Sequence, residues 1–155
     1  MITEIKEGTD LTLRLESEGE LYDVLEKRHL GRGSEIQIKA PGKGKSRFYA
    51  RLPYRIAGLN VEFPEAIALG SAENLEVQEI LSSDRHELDT HFLRVEVFDP
   101  GGELVDPLSG NHVAKNGRLD LLVDIPYNAT LGEWTIRITD VVSNVEGKAS
   151  FQVIK

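Results

Sequence analysis

Apolar residues recur at every second position through most of the chain. Leu11, Leu13 and Leu15 alternate with Thr12 and Arg14, and Ile36 and Ile38 flank Gln37. Phe48, Ala50 and Leu52 alternate with Tyr49 and Arg51. The same step of two links Leu59, Val61 and Phe63, then Leu75 and Val77, then Leu93, Val95 and Val97. It returns in Leu119, Leu121, Val123 and Ile125, in Trp134, Ile136 and Ile138, and in Ala149, Phe151 and Val153. Period two turns one face of an extended chain toward a core and leaves the other to water. Turn signals separate the runs: Glu18-Gly19, Pro41-Gly42, Asp99-Pro100-Gly101-Gly102, Ser109-Gly110-Asn111, Asn116-Gly117 and Asn144-Val145-Glu146-Gly147. Many short half-buried strands predict an all-β chain built on an immunoglobulin-like antiparallel β-sandwich.

Helical pattern is scarce. The best stretch, SAENLEVQEILS at residues 71–82, opens on a capping residue and sets Leu75 and Glu79 one turn apart. It lacks a clean stripe of period 3.6 and reads as a strand running on into a loop. The end of the chain reads as a hairpin. Trp134, Ile136 and Ile138 face inward, residues 140–147 turn, and Ala149, Phe151 and Val153 return on the same face. An indole in that phase is a core plug between two sheets rather than a platform for a sugar ring.

Charge divides the chain in a way the apolar pattern does not. The formal net charge is -8, which disfavours nucleic acid as a partner. Residues 27–55 nevertheless carry nine Lys/Arg and one acid, Glu35, so that segment alone is basic. Together with the fresh strand after Gly58, this sets a boundary near Pro53-Tyr54-Arg55. Residues 1–54 are expected to form a small antiparallel β region of about five short strands, and residues 55–155 a sandwich of about seven. A region as short as the first rarely buries a core alone, so it either packs on the sandwich or completes a domain begun elsewhere. Lys43, Lys45, Arg47 and Arg51 cluster around one turn and its strand, which suggests a salt-sensitive docking face for an acidic partner. A solvated basic hairpin is the plain alternative.

Candidate chemistry is thin. The chain has no cysteine, which removes disulfides, thiolate nucleophiles and Cys-ligated zinc. KAPGKGKS at residues 39–46 approaches a phosphate-binding loop, but Lys39 stands where its first glycine belongs and a strand pattern follows instead of a helix. HELDTH at residues 86–91 sets its histidines one residue too far apart for the zinc-protease helix. A looser metal site from Asp84, His86, Asp89 and His91 is the sharper reading of that stretch, and a solvated loop between strands the plainer one. Asp99, Asp106, Asp120 and Asp124 are candidates for a calcium site in the sandwich loops, although their spacing matches no EF-hand. Asn128-Ala129-Thr130 is a formal glycosylation acceptor and predicts an exposed loop, with Tyr127 either offering a ring to a ligand or serving as a plain loop aromatic. No serine elbow or catalytic triad is recognisable. The sequence therefore assigns no catalytic, cofactor-binding or metal residue, and leaves binding residues open.

Two stretches carry a resemblance. HFLRVEVFDPGGELV at residues 91–105 and GRLDLLVDIPYNATLGEWTIRITDVVSNVEGKASFQV at residues 117–153 are similar to the sandwich appended to large bacterial glycoside-hydrolase-like proteins. They also resemble macroglobulin-type and other immunoglobulin-like domains. The anchors are Pro100, Gly102, Pro126, Gly132, Trp134, Asp140, Gly147, Phe151 and Val153. LYDVLEKRHLGRGSEIQIKAPGKGKSRFYARLPY at residues 21–54 resembles the closing strands of the sandwich that follows the catalytic barrel in several glycosidase groups. The resemblance implies a non-catalytic accessory module, not an enzyme and without a cofactor, from the end of a larger polysaccharide-acting protein. Its implied partner is an upstream catalytic domain of the same polypeptide, and its implied setting is extracellular or periplasmic. The alternative is a carbohydrate-binding module, which needs exposed planar aromatics along a groove; aromatic residues make up only 6% of this chain. Neither nucleic acid nor membrane insertion is expected.

Overall fold

A computed structural model describes residues 7–82 and 87–155 and divides into two compact units, Met1–Arg55 and Ile56–Lys155. The described residues are almost entirely β, and no helix among them is long and apolar enough to cross a membrane.

The described residues of the first unit form one antiparallel sheet of three strands in the order β2-β1-β3, with β1 at Asp10–Asp23, β2 at Arg28–Lys39 and β3 at Tyr49–Leu52. The five short strands expected here are three because Glu18-Gly19 is not a turn. It lies inside β1, where the pairing with β2 shifts register between Arg14 and Gly19. A Cβ on Gly19 would meet the Leu52 carbonyl oxygen at 2.5 Å, so the glycine admits a neighbouring backbone at a bulge. Beyond that point β1 pairs on both sides, and Leu21 and Tyr22 are buried, joined by Ile36 of β2. Phe48, expected on the inner face of β3, stands before the strand and is exposed.

The described residues of the second unit form eight strands in two sheets. One sheet runs β4-β6-β9, from Ile56–Glu62, Ala72–Leu81 and Arg118–Asp124. The other runs β5-β11-β10-β7-β8, from Ala66–Ala68, Glu146–Ile154, Gly132–Asp140, His91–Phe98 and Gly110–Ala114. All pairs are antiparallel except β5 with β11. The stretch at residues 71–82 is strand β6, as its alternation suggested. Leu75 and Val77 of β6 share one apolar cluster with Leu93, Val95 and Val97 of β7 and Ile136 and Ile138 of β10, which makes the pair of sheets a sandwich. Trp134 is buried in that cluster; its Nε1 donates to the Thr130 carbonyl at 2.8 Å, and its ring lies 6.1 Å from that of Phe151. The buried indole thus has the polar partner such a ring needs.

Candidate functional site

Three polar side chains continue the inward phase of their strands. Glu79 follows Leu75 and Val77 on β6, His91 precedes Leu93 and Val95 on β7, and Asp140 follows Ile136 and Ile138 on β10. Strand β7 opens where antiparallel β10 closes, with Asp140 opposite Leu93, so His91 and Asp140 meet at one end of the sheet. Glu79 arrives from the facing sheet. His91 Nδ1 lies 3.0 Å from Asp140 Oδ2 and 3.4 Å from Glu79 Oε1. One ligand atom from each of the three falls within 4.8 Å of the others. The residues are 2%, 3% and 0% exposed for Glu79, His91 and Asp140.

Backbone bonds hold this end closed. The Glu79 amide donates to the Gly117 carbonyl at 2.8 Å, and the Gly117 amide donates to the Asp89 carbonyl at 3.2 Å. Gly117 has φ +68, and a Cβ there would collide with Leu88, so the turn between β8 and β9 requires glycine on both counts. Asp140 also builds the hairpin turn. Its Oδ1 accepts the Ser143 amide at 2.6 Å, and its carbonyl accepts the Asn144 amide at 2.9 Å.

Electrostatics separate the two acids. Burial pushes the Asp140 carboxyl up, but hydrogen bonds from His91 and Ser143 outweigh it and hold the group below its usual range. Burial pushes the His91 imidazole down, but the bond to Asp140 and the nearby charges of Glu79, Asp140 and Asp89 carry it above its usual value. Glu79 goes the other way: burial raises it to about 7, helped by Asp140 and opposed by His91. The Nδ1 proton of His91 is taken up by Asp140 at the shorter distance, and as a carboxylate neither buried oxygen of Glu79 has a hydrogen-bond donor. Only when protonated does Glu79 gain a bond, to Asp140. The cluster is thus an ion pair beside a carboxyl poised to take either a proton or another cation.

The sequence candidates fare differently. His91 opens strand β7, as its place ahead of the alternating run from Leu93 implies, and its side chain is buried in the core rather than solvated. Asp84 and His86 lie outside the described residues, and the Asp89 side chain turns to the Thr90 amide at 2.7 Å. Asp99, Asp106, Asp120 and Asp124 are not brought together: Asp99 Oδ1 accepts the amides of Gly101 and Glu103, while Asp120 and Asp124 are exposed on β9. Among the described residues, Glu79, His91 and Asp140 are the only group of acids and histidines close enough to share an ion. Residues 39–46 form no helix, and strand β3 follows them. Tyr127 is 83% exposed beside Asn128. Several of the basic residues find partners within their own unit. Lys39 meets Asp10 at 2.8 Å, Lys45 meets Glu7 at 3.7 Å, Arg47 pairs with Glu26, and Arg51 donates to the Glu18 carbonyl. Of the candidate docking residues, Lys45 and Arg47 thus lie beside acids of their own unit and Arg51 beside a backbone carbonyl.

A shallow groove of about 490 Å³ runs along the outer face of β10, where Phe98 and Arg137 lie. The Arg137 guanidinium covers the Phe98 ring at 4.9 Å and is fixed by two bonds to Glu96 Oε2 at 3.0 and 2.9 Å. The ring is therefore engaged by a cation rather than open to a sugar.

His91 stands in the sequence as a metal candidate and Asp140 as an anchor of the resemblance, but apolar alternation alone does not join them to Glu79, because each of the three falls one step beyond its run. A polar residue that keeps the inward phase at a strand end is the signal that finds them.

No protein-family model and no curated protein matches the chain. Solved structures do. The native conformation of E. coli α-2-macroglobulin aligns with 97% of this chain and 12% of its own, at 17% identity and a TM-score of 0.53. Salmonella α-2-macroglobulin reacted with methylamine aligns with 97% of this chain and 11% of its own, at 17% identity and a TM-score of 0.51. The fold is that of macroglobulin-like β-domains. This supports the macroglobulin side of the sequence resemblance, whereas these neighbours carry no link to glycosidases. The chain spans about one-eighth of the length of the structures it matches.

Proposed function

We propose that the chain is a non-catalytic, macroglobulin-like module that acts as a spacer and docking element within a larger assembly of such domains. The observation that carries this reading is the alignment of both units, over 97% of the chain, with a run that makes up only 12% of a bacterial α-2-macroglobulin. The one cluster of acids and histidine found among the described residues is sealed in the core, which supports a scaffold rather than a reaction centre. The implied partner is the remainder of its own polypeptide, and the placement outside the cytoplasm belongs to the same proposal. Association with a polysaccharide-acting protein is the narrower form of the reading and rests on the sequence resemblance alone.

The test is an activity and binding screen on the purified chain. No turnover of aryl glycosides, esters or nucleotides is expected, and no retention on a glycan array. Reproducible turnover that disappears on changing one Asp, Glu or His overturns the module reading. Glycan retention that is lost with Tyr127→Ala would instead favour the carbohydrate-binding alternative.

A further inference from the structure

We propose that Glu79, His91 and Asp140 form a structural site for a divalent transition-metal cation, with zinc the best match, inside the closed end of the sandwich. The inference rests on the geometry of the second unit and is independent of the module reading. Zinc binds imidazole nitrogen and carboxylate oxygen at roughly 2.0–2.2 Å, so neighbouring ligand atoms around it are roughly 3.0–3.5 Å apart. The observed separations of 3.0 Å and 3.4 Å from His91 Nδ1 to the two carboxylates fall in that range. Two carboxylates with a neutral imidazole cancel a double positive charge, so the loaded site would bury no net charge. The second observation is Glu79 itself. It is 2% exposed, aims its carboxylate at the cluster, and has no hydrogen-bond donor on either oxygen. Buried carboxylates are ordinarily satisfied, and a metal ion is one of the partners that explains such an exception. Three protein ligands leave the fourth position to a water, a count otherwise found in catalytic zinc sites; the burial of all three ligands sets this site apart from those. Mixed nitrogen and oxygen donors in so small a set disfavour calcium, which takes six to eight oxygens, and magnesium, which keeps most of its waters.

The sealed position also assigns a role. The three ligands come from β6 of one sheet and from β7 and β10 of the other. An ion there would tie the two sheets together where the connection into β7 and the hairpin turn after β10 meet. Such an ion is expected to raise thermal stability rather than to run a reaction.

The experiment uses the whole chain, stripped with a chelator and titrated with zinc chloride at mildly alkaline pH, where carboxylates and imidazole are free to ligate. One zinc per chain is expected by calorimetry, with a rise in melting temperature that calcium and magnesium do not reproduce. Cobalt(II) should give the visible d–d absorption of a low-coordinate site with nitrogen and oxygen ligands. Glu79→Gln keeps the side-chain volume and should weaken zinc by at least about 100-fold, the upper end of what loss of a mere outer-shell partner costs. Far-ultraviolet circular dichroism and Trp134 emission check that the variant folds, and the cobalt spectrum of the unaltered chain decides the matter if it does not. Failure of the unaltered chain to bind zinc, a cobalt spectrum of free octahedral ion, or full zinc binding by folded Glu79→Gln each overturns the proposal. The first two would leave a proton-sharing network in the core, and the third would place the zinc at surface histidines.

Discussion

The two units solve the same problem with different means. The second buries fifteen residues in one apolar cluster between two sheets. Among its described residues the first has a single sheet and only a handful of buried apolar residues, Leu21, Tyr22, Ile36, Ala40 and Tyr54. Its strands are instead cross-linked by charge. Arg14 meets Glu35 at 3.0 Å and Lys39 meets Asp10 at 2.8 Å, each pair joining β1 to β2. Exposed pairs of this kind are individually weak and screened by salt, whereas apolar burial scales with area and is not. A shared strand period thus does not imply a shared source of stability. The two units should therefore respond to different stresses.

Removing the centre of the larger core should have the greatest effect. Trp134→Ala is expected to cost the second unit about 3–5 kcal/mol, as for other large buried aromatics, while the first unit keeps its own transition. Two-probe melting would show it, and a native emission maximum typical of a solvent-exposed indole would contradict the structure before any mutation is made.

Acidity should come next, again in the second unit. In the metal-free chain Glu79 rises from 4.5 unfolded to about 7 folded, so the folded state holds a proton that the unfolded state has released. The stability from that proton is present below 4.5 and lost as pH climbs through about 7. Glu79 alone should remove on the order of 3 kcal/mol across that window. His91, also raised, acts in the same direction on the alkaline side. Asp140, lowered, acts oppositely: its contribution is lost as pH falls through its folded value. Urea melts at several pH values should show an optimum on the mildly acidic side, and Glu79→Gln should flatten the alkaline decline.

A smaller effect is expected in the first unit from Gly19→Val. The new side chain meets the backbone of β3, and the expected cost is about 1–3 kcal/mol, confined to that unit. The smallest effect should come from reversing Lys45, Arg47 and Arg51 to Glu. The first unit should melt slightly earlier at low salt and nearly unchanged at high salt. A matching shift in the second unit would show instead that the basic segment reaches beyond its own acids.

How much of this the sequence displayed depends on what each residue faces. Strands β6, β7, β9, β10 and β11 were legible because the facing sheet demands an apolar inner row, so the alternation is clean. Strands β5 and β8 lie at the sheet edges and carry too little apolar pattern to register, with Ala66–Ala68 and Gly110–Ala114 both short. Glu18-Gly19 misled because a glycine needed for close backbone approach looks the same in sequence as one needed for a turn. The buried cluster was legible one residue at a time but not as a group. Nothing along the chain says that positions 79, 91 and 140 share one end of a sandwich until the strand pairing is known.

The parallel pair of β5 and β11 carries a consequence for synthesis. Strand β11 is the last made of its unit, yet it sits inside its sheet, between β5 and β10. As the chain leaves the ribosome, β5 and β10 must wait with open flanks until Glu146–Ile154 slots between them. The first unit has no such delay, since its strands pair within its opening stretch. The nascent chain should therefore emerge with a finished first sheet ahead of an unclosed sandwich, a vulnerable interval governed by loop closure over most of a domain.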